Sequence, residues 1–303
     1  MRKVLKWLGI VLGSLVGLVV LAVIVLNIVA SIRLSRTYDV QPQAVTVPSD
    51  AASIEAGRQW TEIHCTFCHQ DDLAGGLILD DPMLGKAVAT NITAGEGGVA
   101  QTYTDEDWVR AIRHGIDPNG RPLVVMPSAS YYYFSDEDLG NMIAYVKSVP
   151  PVDNVLSSGF SPTPLARVLL VMGMMGDDAI APEAIDHDGP RPPAPQPGVT
   201  AEYGEYLVNS FDRCRTCHGQ DLAGGDPPHP DSPDGPNLTP GGELAGWSAE
   251  DFIQAMHTGV NPYGSKMDSE WMPWQMVGSM SDDQLTAMFL YLQSLPAKAS
   301  GSD

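Results

Sequence analysis

Cysteine is scarce in this 303-residue sequence, which has four: Cys65, Cys68, Cys214 and Cys217. All four fall in two short stretches, so none remains for a structural disulfide, a catalytic thiol or a cysteine ligand elsewhere. None precedes Cys65, which predicts no N-terminal lipid-modified cysteine. Acidic side chains are missing from the first 36 residues. Basic ones are sparse after them, 12 Lys and Arg against 37 Asp and Glu. That balance disfavours nucleic acid as a partner, because phosphate contact needs dense positive charge. It suits docking on basic protein surfaces with a salt-sensitive on-rate, and equally suits plain solubility.

The two cysteine stretches are Cys65-Thr66-Phe67-Cys68-His69 and Cys214-Arg215-Thr216-Cys217-His218. Both read Cys-x-x-Cys-His, the attachment pattern of c-type haem. Two cysteines three positions apart on a helical turn can each form a thioether to one vinyl group of a single haem. The histidine that follows can then coordinate the iron as proximal ligand. The alternative is a zinc site. Zinc ribbons place such pairs roughly 15–20 residues apart, whereas these lie 149 apart and each is followed by His. Two covalently bound haem c groups are therefore expected.

Taken in order, residues 1–36 read as a membrane signal. Arg2, Lys3 and Lys6 precede an uncharged run of 26 residues, Trp7 to Ile32, and Arg33 and Arg36 follow it. The run exceeds the ~20 residues that span a bilayer as a helix and the ~7–15 of a signal-peptide core. The expectation is an uncleaved single-pass anchor in a bacterial cytoplasmic membrane, with its N-terminus in the cytoplasm. Haem attachment outside that membrane requires the same orientation, with the haem domains on the periplasmic side. Residues 37–50 read as an extended linker.

Residues 51–151 form a first unit and residues 199–297 a second, joined by a connector at 152–198 and followed by a tail at 298–303. The second repeats the first. Asp72-Leu73-Ala74-Gly75-Gly76 matches Asp221-Leu222-Ala223-Gly224-Gly225, and Asn91-Ile92-Thr93 matches Asn237-Leu238-Thr239. Thr104 to Trp108 matches Ser248 to Phe252, Gly115 and Pro118 match Gly259 and Pro262, and Met126-Pro127 matches Met272-Pro273. Ser135 and Ser281 each open a last helix that ends at Pro150 or Pro296. Thr104 and Ser135 with the acids after them predict helix N-caps. A first helix is expected over Ser53 to Trp60, and loop after His69. Recurrence of Gly57 with Tyr145 and of Gly204 with Tyr291 predicts a close helix crossing in each unit. In the connector, Leu165 to Met175 predicts a short helix packing between domains or at the membrane surface. Pro182 to Pro197 is expected to be extended.

The distal iron ligands are expected to be Met126 and Met272, the methionines at equivalent positions in both units. Met83 competes in the first, and Met267, Met276 and Met280 in the second. Thr90 and Pro236 are the candidate carbonyl acceptors for the second ring nitrogen of His69 and His218. His64, His114, His187, His229 and His257 show no spacing for another metal. With His and Met on both faces, the iron is closed to substrate and suits one-electron relay.

These residues together resemble class I cytochromes c in both halves. More narrowly the chain is similar to the cytochrome c subunits of membrane-bound alcohol, gluconate and aldehyde dehydrogenases, through Asn91-Ile92-Thr93, Gly95 to Gly98, Thr104 to Trp108, Met126-Pro127 and Ser148 to Asn154. The resemblance implies an all-α fold of two tandem cytochrome c domains after the transmembrane helix. It also implies a non-enzymatic electron carrier in a respiratory or photosynthetic chain, taking electrons from a donor such as a dehydrogenase and passing them towards an oxidase or another respiratory complex. Subunits of that family usually carry three haem domains, where this chain has two. The alternatives are a permanent subunit of a larger oxidoreductase complex and a dihaem peroxidase. A thiosulfate-oxidising enzyme with a cysteine-ligated haem would need a fifth cysteine.

Overall fold

The computed structural model describes residues 2–176, 179–189, 195–210, 212–225 and 232–300. His229 and residues 190–194 of the proline-rich segment lie outside them.

In chain order the helices and strands begin with α1 (Arg2–Ser35), α2 (Ala51–His64) and α3 (Thr66–His69). Strands β1 (Gly76–Asp81) and β2 (Gly85–Ala89) follow, then α4 (Asp105–His114), α5 (Ser128–Tyr131) and α6 (Asp136–Ser148). The connector holds β3 (Gly159–Pro162), α7 (Pro164–Val171) and α8 (Ala181–Ala184). The second repeat holds α9 (Ala201–Ser210), α10 (Asp212–His218), α11 (Ala249–Thr258), α12 (Trp274–Val277) and α13 (Asp282–Ser294). Backbone contacts divide the chain into two compact units. One is Met1–Val45, Cys68–Ala129 and Val149–Gly189; the other is Thr46–Phe67, Ser130–Ser148 and Pro190–Asp303.

In the first unit, α1 is long and apolar enough to cross a membrane. At ~1.5 Å per residue its 34 residues reach ~51 Å. It packs against α7, where Arg167 donates to Ser31 Oγ at 3.1 Å, and Arg33 Nε donates to Glu183 on α8 at 2.9 Å. The connector helix thus forms, and its neighbour within the unit is α1. Thr104 and Asp107 close a reciprocal capping box on α4, and Gly115 ends that helix at φ 66°. Glycine adopts this left-handed conformation without the Cβ penalty.

Three features of the chain differ from the sequence reading. The segment after His69 is an antiparallel hairpin, β1 on β2, and β3 from the connector adds a third strand. Its hydrophobic alternation is broken by a register shift between Leu77 and Leu79, so a period of two is not legible. Ala181–Ala184 is a helical turn with proline in its first turn, a position where proline is tolerated, and is not extended. The Met-Pro loops contain a helical turn each, at Ser128–Tyr131 and Trp274–Val277.

In the second unit, α2 packs on α6 and α9 on α13. The first helix starts earlier than expected, at Ala51, because Asp50 caps it and accepts from Ser53 N at 3.0 Å. The glycine crossings are present, one turn from the expected tyrosine in the first repeat. A Cβ on Gly57 would lie 1.9 Å from the carbonyl oxygen of Asn141. On Gly204 it would lie 1.8 Å from that of Ala287, with Tyr291 Cβ at 2.9 Å. Leu207, Val208, Leu285, Ala287 and Met288 fill the core beneath the second crossing. Capping boxes at Ser248/Asp251 and Ser281/Gln284 begin α11 and α13.

Candidate haem centres

Each cysteine motif sits at a helix end. Cys65 is the C-cap of α2, its N–H donating to Thr61 O, and α3 carries Thr66–His69. Cys214, Cys217 and His218 lie on α10. The turn after each histidine is the same in both repeats. Gly75 N donates to His69 O and Gly224 N to His218 O, both at 2.9 Å. Asp72 Oδ1 accepts from Ala74 N and Asp221 Oδ1 from Ala223 N, both at 3.0 Å. Leu73 and Leu222 take left-handed backbone at φ 58° and 62°.

That turn leads to the residues that orient the imidazoles. His69 Nδ1 lies 2.7 Å from Thr90 O, and His218 Nδ1 lies 2.7 Å from Pro236 O. A carbonyl can only accept, so Nδ1 carries the proton and Nε2 is the nitrogen available to a metal. Burial lowers the pKa of both rings and favours this neutral form.

The matched Asn-x-Thr segments secure these carbonyls. Asn91 Oδ1 accepts from Thr93 N at 2.9 Å, and its Nδ2 donates to Val152 O at 2.8 Å. Asn237 does the same with Thr239 N at 2.8 Å and Lys298 O at 2.9 Å. Thr90 and Pro236 immediately precede these asparagines. A side chain buried against the segment after each last helix therefore holds the loop that orients the histidine. The sequence repeat marked these positions without revealing that role.

In the second repeat a cavity of about 580 Å³ is lined by Cys214, Cys217, His218, Met267, Met272 and Met276. Phe252, Trp247, Leu244, Val277, Met288 and Leu292 supply apolar wall. Its size lies within the ~300–1,000 Å³ of ligand sites. Two thiols, one imidazole with a free Nε2, thioethers and an apolar wall fit a covalently bound haem. Met280 is instead a core residue, 2% exposed.

Local backbone distinguishes the neighbouring methionines. Met267 N donates to Gly259 O and Leu123 N to Gly115 O, both at 2.7 Å. Met267 therefore stands where the first repeat has Leu123. Met272 O accepts from Trp274 N at 2.7 Å and Met126 O from Ser128 N at 2.8 Å, each just before the short helix. Met83, the rival in the first repeat, sits at the exposed β1–β2 turn.

The remaining described histidines are tied into the protein. His114 and His187 face each other, Nδ1 to Nδ1, at 2.9 Å. His257 contacts Gly278 O and Asp282, and His64 stacks on Trp60. Among the described residues no cluster of three or more His, Cys, Asp or Glu could hold another metal ion.

A family model described as cytochrome c matches residues 201–296, and one described as cytochrome c oxidase, cbb3-type, subunit III, matches residues 52–146. The gluconate 2-dehydrogenase cytochrome c subunit of Pantoea cypripedii is 29% identical over 77% of this chain and 57% of its own length. The fructose dehydrogenase cytochrome subunit of Gluconobacter japonicus is 29% identical over 78% of this chain and 51% of its own. A protein named as a diheme cytochrome c-type from Cereibacter sphaeroides is 24% identical over 77% of this chain and 82% of its own. The chain thus spans little more than half the length of the dehydrogenase subunits. It is a protein of two cytochrome c domains, mostly helical, and resembles those dehydrogenase cytochrome c subunits.

Proposed function

We propose that the chain relays single electrons between redox proteins as a membrane-anchored dihaem cytochrome c. When bound, haem supplies an iron that changes oxidation state by one electron. The chain's residues attach it through Cys65 and Cys68 or Cys214 and Cys217, and orient His69 and His218 through Thr90 O and Pro236 O. Met126 and Met272 would supply the second iron ligand at each site. The observation that carries the reading is the duplicated imidazole–carbonyl bond, 2.7 Å in both repeats. A site so fixed changes geometry little between redox states, which suits relay.

The 34-residue α1 supports a single-pass anchor, with both domains on the extracytoplasmic side. The names of the dehydrogenase relatives support a dehydrogenase as donor; in this reading a respiratory oxidase or similar complex is the acceptor. They also favour a second reading, a permanent cytochrome subunit of such a dehydrogenase.

The test is purification from native membranes with detergent. Relay predicts two haems per chain by pyridine haemochrome and fully low-spin spectra in both oxidation states. A high-spin ferric component, or a single haem, overturns it. Elution alone supports the mobile carrier, and elution with a stoichiometric dehydrogenase supports the permanent subunit.

A further inference from the structure

The uncharged run of α1 ends at Ile32, and the arginines after it border a polar cavity. The cavity measures about 570 Å³ and is lined by Arg33, Arg36, Tyr38, Pro182, Glu183 and His187, all in the first unit. Its walls are fixed by polar contacts. Arg33 Nη2 pairs with Glu183 Oε2 at 2.5 Å, and its Nη1 donates to Leu170 O at 3.3 Å. Tyr38 OH donates to Glu183 Oε1 at 3.3 Å. His187 Nε2 donates to Pro182 O at 3.1 Å.

The charge of this lining is not balanced. Glu183 compensates Arg33. Among the described residues no carboxylate reaches Arg36, whose guanidinium lies over the Tyr38 ring, 5.1 Å from its centroid. With His187 counted as neutral, two arginines against one glutamate leave a single positive charge. That is the complement of one phosphodiester, and guanidinium is the side chain that best matches its oxygens.

Beside the cavity the surface is apolar. α7 is tied to the end of α1 through Arg167 with Ser31 and through Arg33 with Leu170 O. The 26 uncharged residues of α1 reach ~39 Å at ~1.5 Å each, more than the ~30 Å of a hydrocarbon core. The tie therefore holds α7 at the level where α1 leaves the hydrocarbon. There Leu165, Met172 and Met174 are 42%, 60% and 66% exposed, and Ile28 and Ile32 of α1 are exposed as well.

We propose that the cavity takes the phosphate headgroup of an anionic phospholipid, with the end of α7 lying in the headgroup–acyl boundary of the same leaflet. This rests on the anchored reading of α1 and adds the surface by which the first unit sits on the membrane. Arg36 gives charge-assisted hydrogen bonds to the phosphodiester. Tyr38 restricts that guanidinium, and Glu183 orients Arg33 while holding the net charge to one. A free phosphate would satisfy the arginines alone. Leu165, Met172 and Met174 select a lipid, because their exposed area is removed from water only when acyl chains lie beside it.

The test uses the full chain with both haems attached, in nanodiscs of phosphatidylcholine with phosphatidylglycerol. A nitroxide on Met174→Cys or Val19→Cys reports depth through its accessibility to oxygen and to a water-soluble nickel chelate. Both positions are expected to be shielded from nickel, Val19 more deeply. Nickel exposure at Met174 with shielding at Val19 overturns the inference and leaves the anchor reading intact. Nickel exposure at Val19 overturns both. In a second arm, the motionally restricted fraction of spin-labelled phosphatidylglycerol is compared with that of spin-labelled phosphatidylcholine. Arg36→Gln is expected to lower the preference for phosphatidylglycerol about fivefold, the effect of one arginine at an anionic surface. Arg36→Lys keeps the charge and is expected to keep the preference, as is Lys3→Gln at the other end of α1. A preference untouched by Arg36→Gln overturns the headgroup site. A preference abolished by inorganic phosphate, and not by chloride of equal ionic strength, marks a free-anion site and overturns the lipid assignment.

Discussion

A Cβ added to Gly235 would fall 1.8 Å from the carbonyl oxygen of Cys217, the second cysteine of the second motif. Glycine is required there because the loop carrying Pro236 O must come close enough to bond His218 Nδ1. Gly235→Ala forces the loop and the motif apart and breaks that bond. The expected result is a chain that loads the first haem and loses the second, read as a halved haemochrome yield per chain. A full yield with an unchanged spectrum would refute the assignment.

How much of this was legible in the sequence follows from which interactions are local. The capping boxes at Thr104/Asp107 and Ser248/Asp251 form within three residues, and their residue types announce them. The carbonyls at Thr90 and Pro236 could be named because the repeat fixes their place relative to the histidines. The sheet was hidden for the opposite reason. β3 pairs with β2 from some 70 residues away in a connector that has no second copy. His114 and His187 also meet across 73 residues, and neither repeats. Phe67 breaks the repeat too, since Thr216 replaces it.

The two helix crossings give a stability prediction. At Gly57 and Gly204 the obstructing atoms are backbone carbonyls, which cannot rotate aside. Overpacking of a well-packed contact costs roughly 1–3 kcal/mol, and separation of two helix backbones belongs at the upper end. Gly57→Ala and Gly204→Ala should each lower the thermal midpoint of the holoprotein. A surface change such as Gly198→Ala, with open space around its Cβ, should leave it in place.

Several carboxylates titrate below their ordinary range, which sets an acid limit. Hydrogen bonds from the Ser248 backbone and side chain lower Asp251 from 3.8. The Lys298 ammonium, then the Ala223 N–H, lower Asp221. The Ser53 N–H lowers Asp50. A lowered folded value means the unfolded chain binds more protons near that pH, so stability rises with pH there. The contribution is complete above 3.8 and disappears as pH falls through the folded values. Thermal midpoints should therefore drop on acidification below that point. Asp251→Asn should flatten the drop, and an equal slope in the variant would exclude Asp251 as a source.

The methionine assignments make the last prediction. Met267 and Met272 line one cavity, so proximity alone does not choose between them. Backbone equivalence favours Met272: Met267 matches Leu123, and Met272 matches Met126. Removing a thioether ligand opens a coordination position and withdraws a group that favours ferrous iron. Met126→Ala and Met272→Ala should each let one haem bind carbon monoxide in the reduced state and lower its potential. Met267→Ala should give no carbon monoxide binding, because the cavity keeps Met272. Carbon monoxide binding in Met267→Ala together with none in Met272→Ala would reverse the assignment, and the two repeats would then ligate iron from different turns.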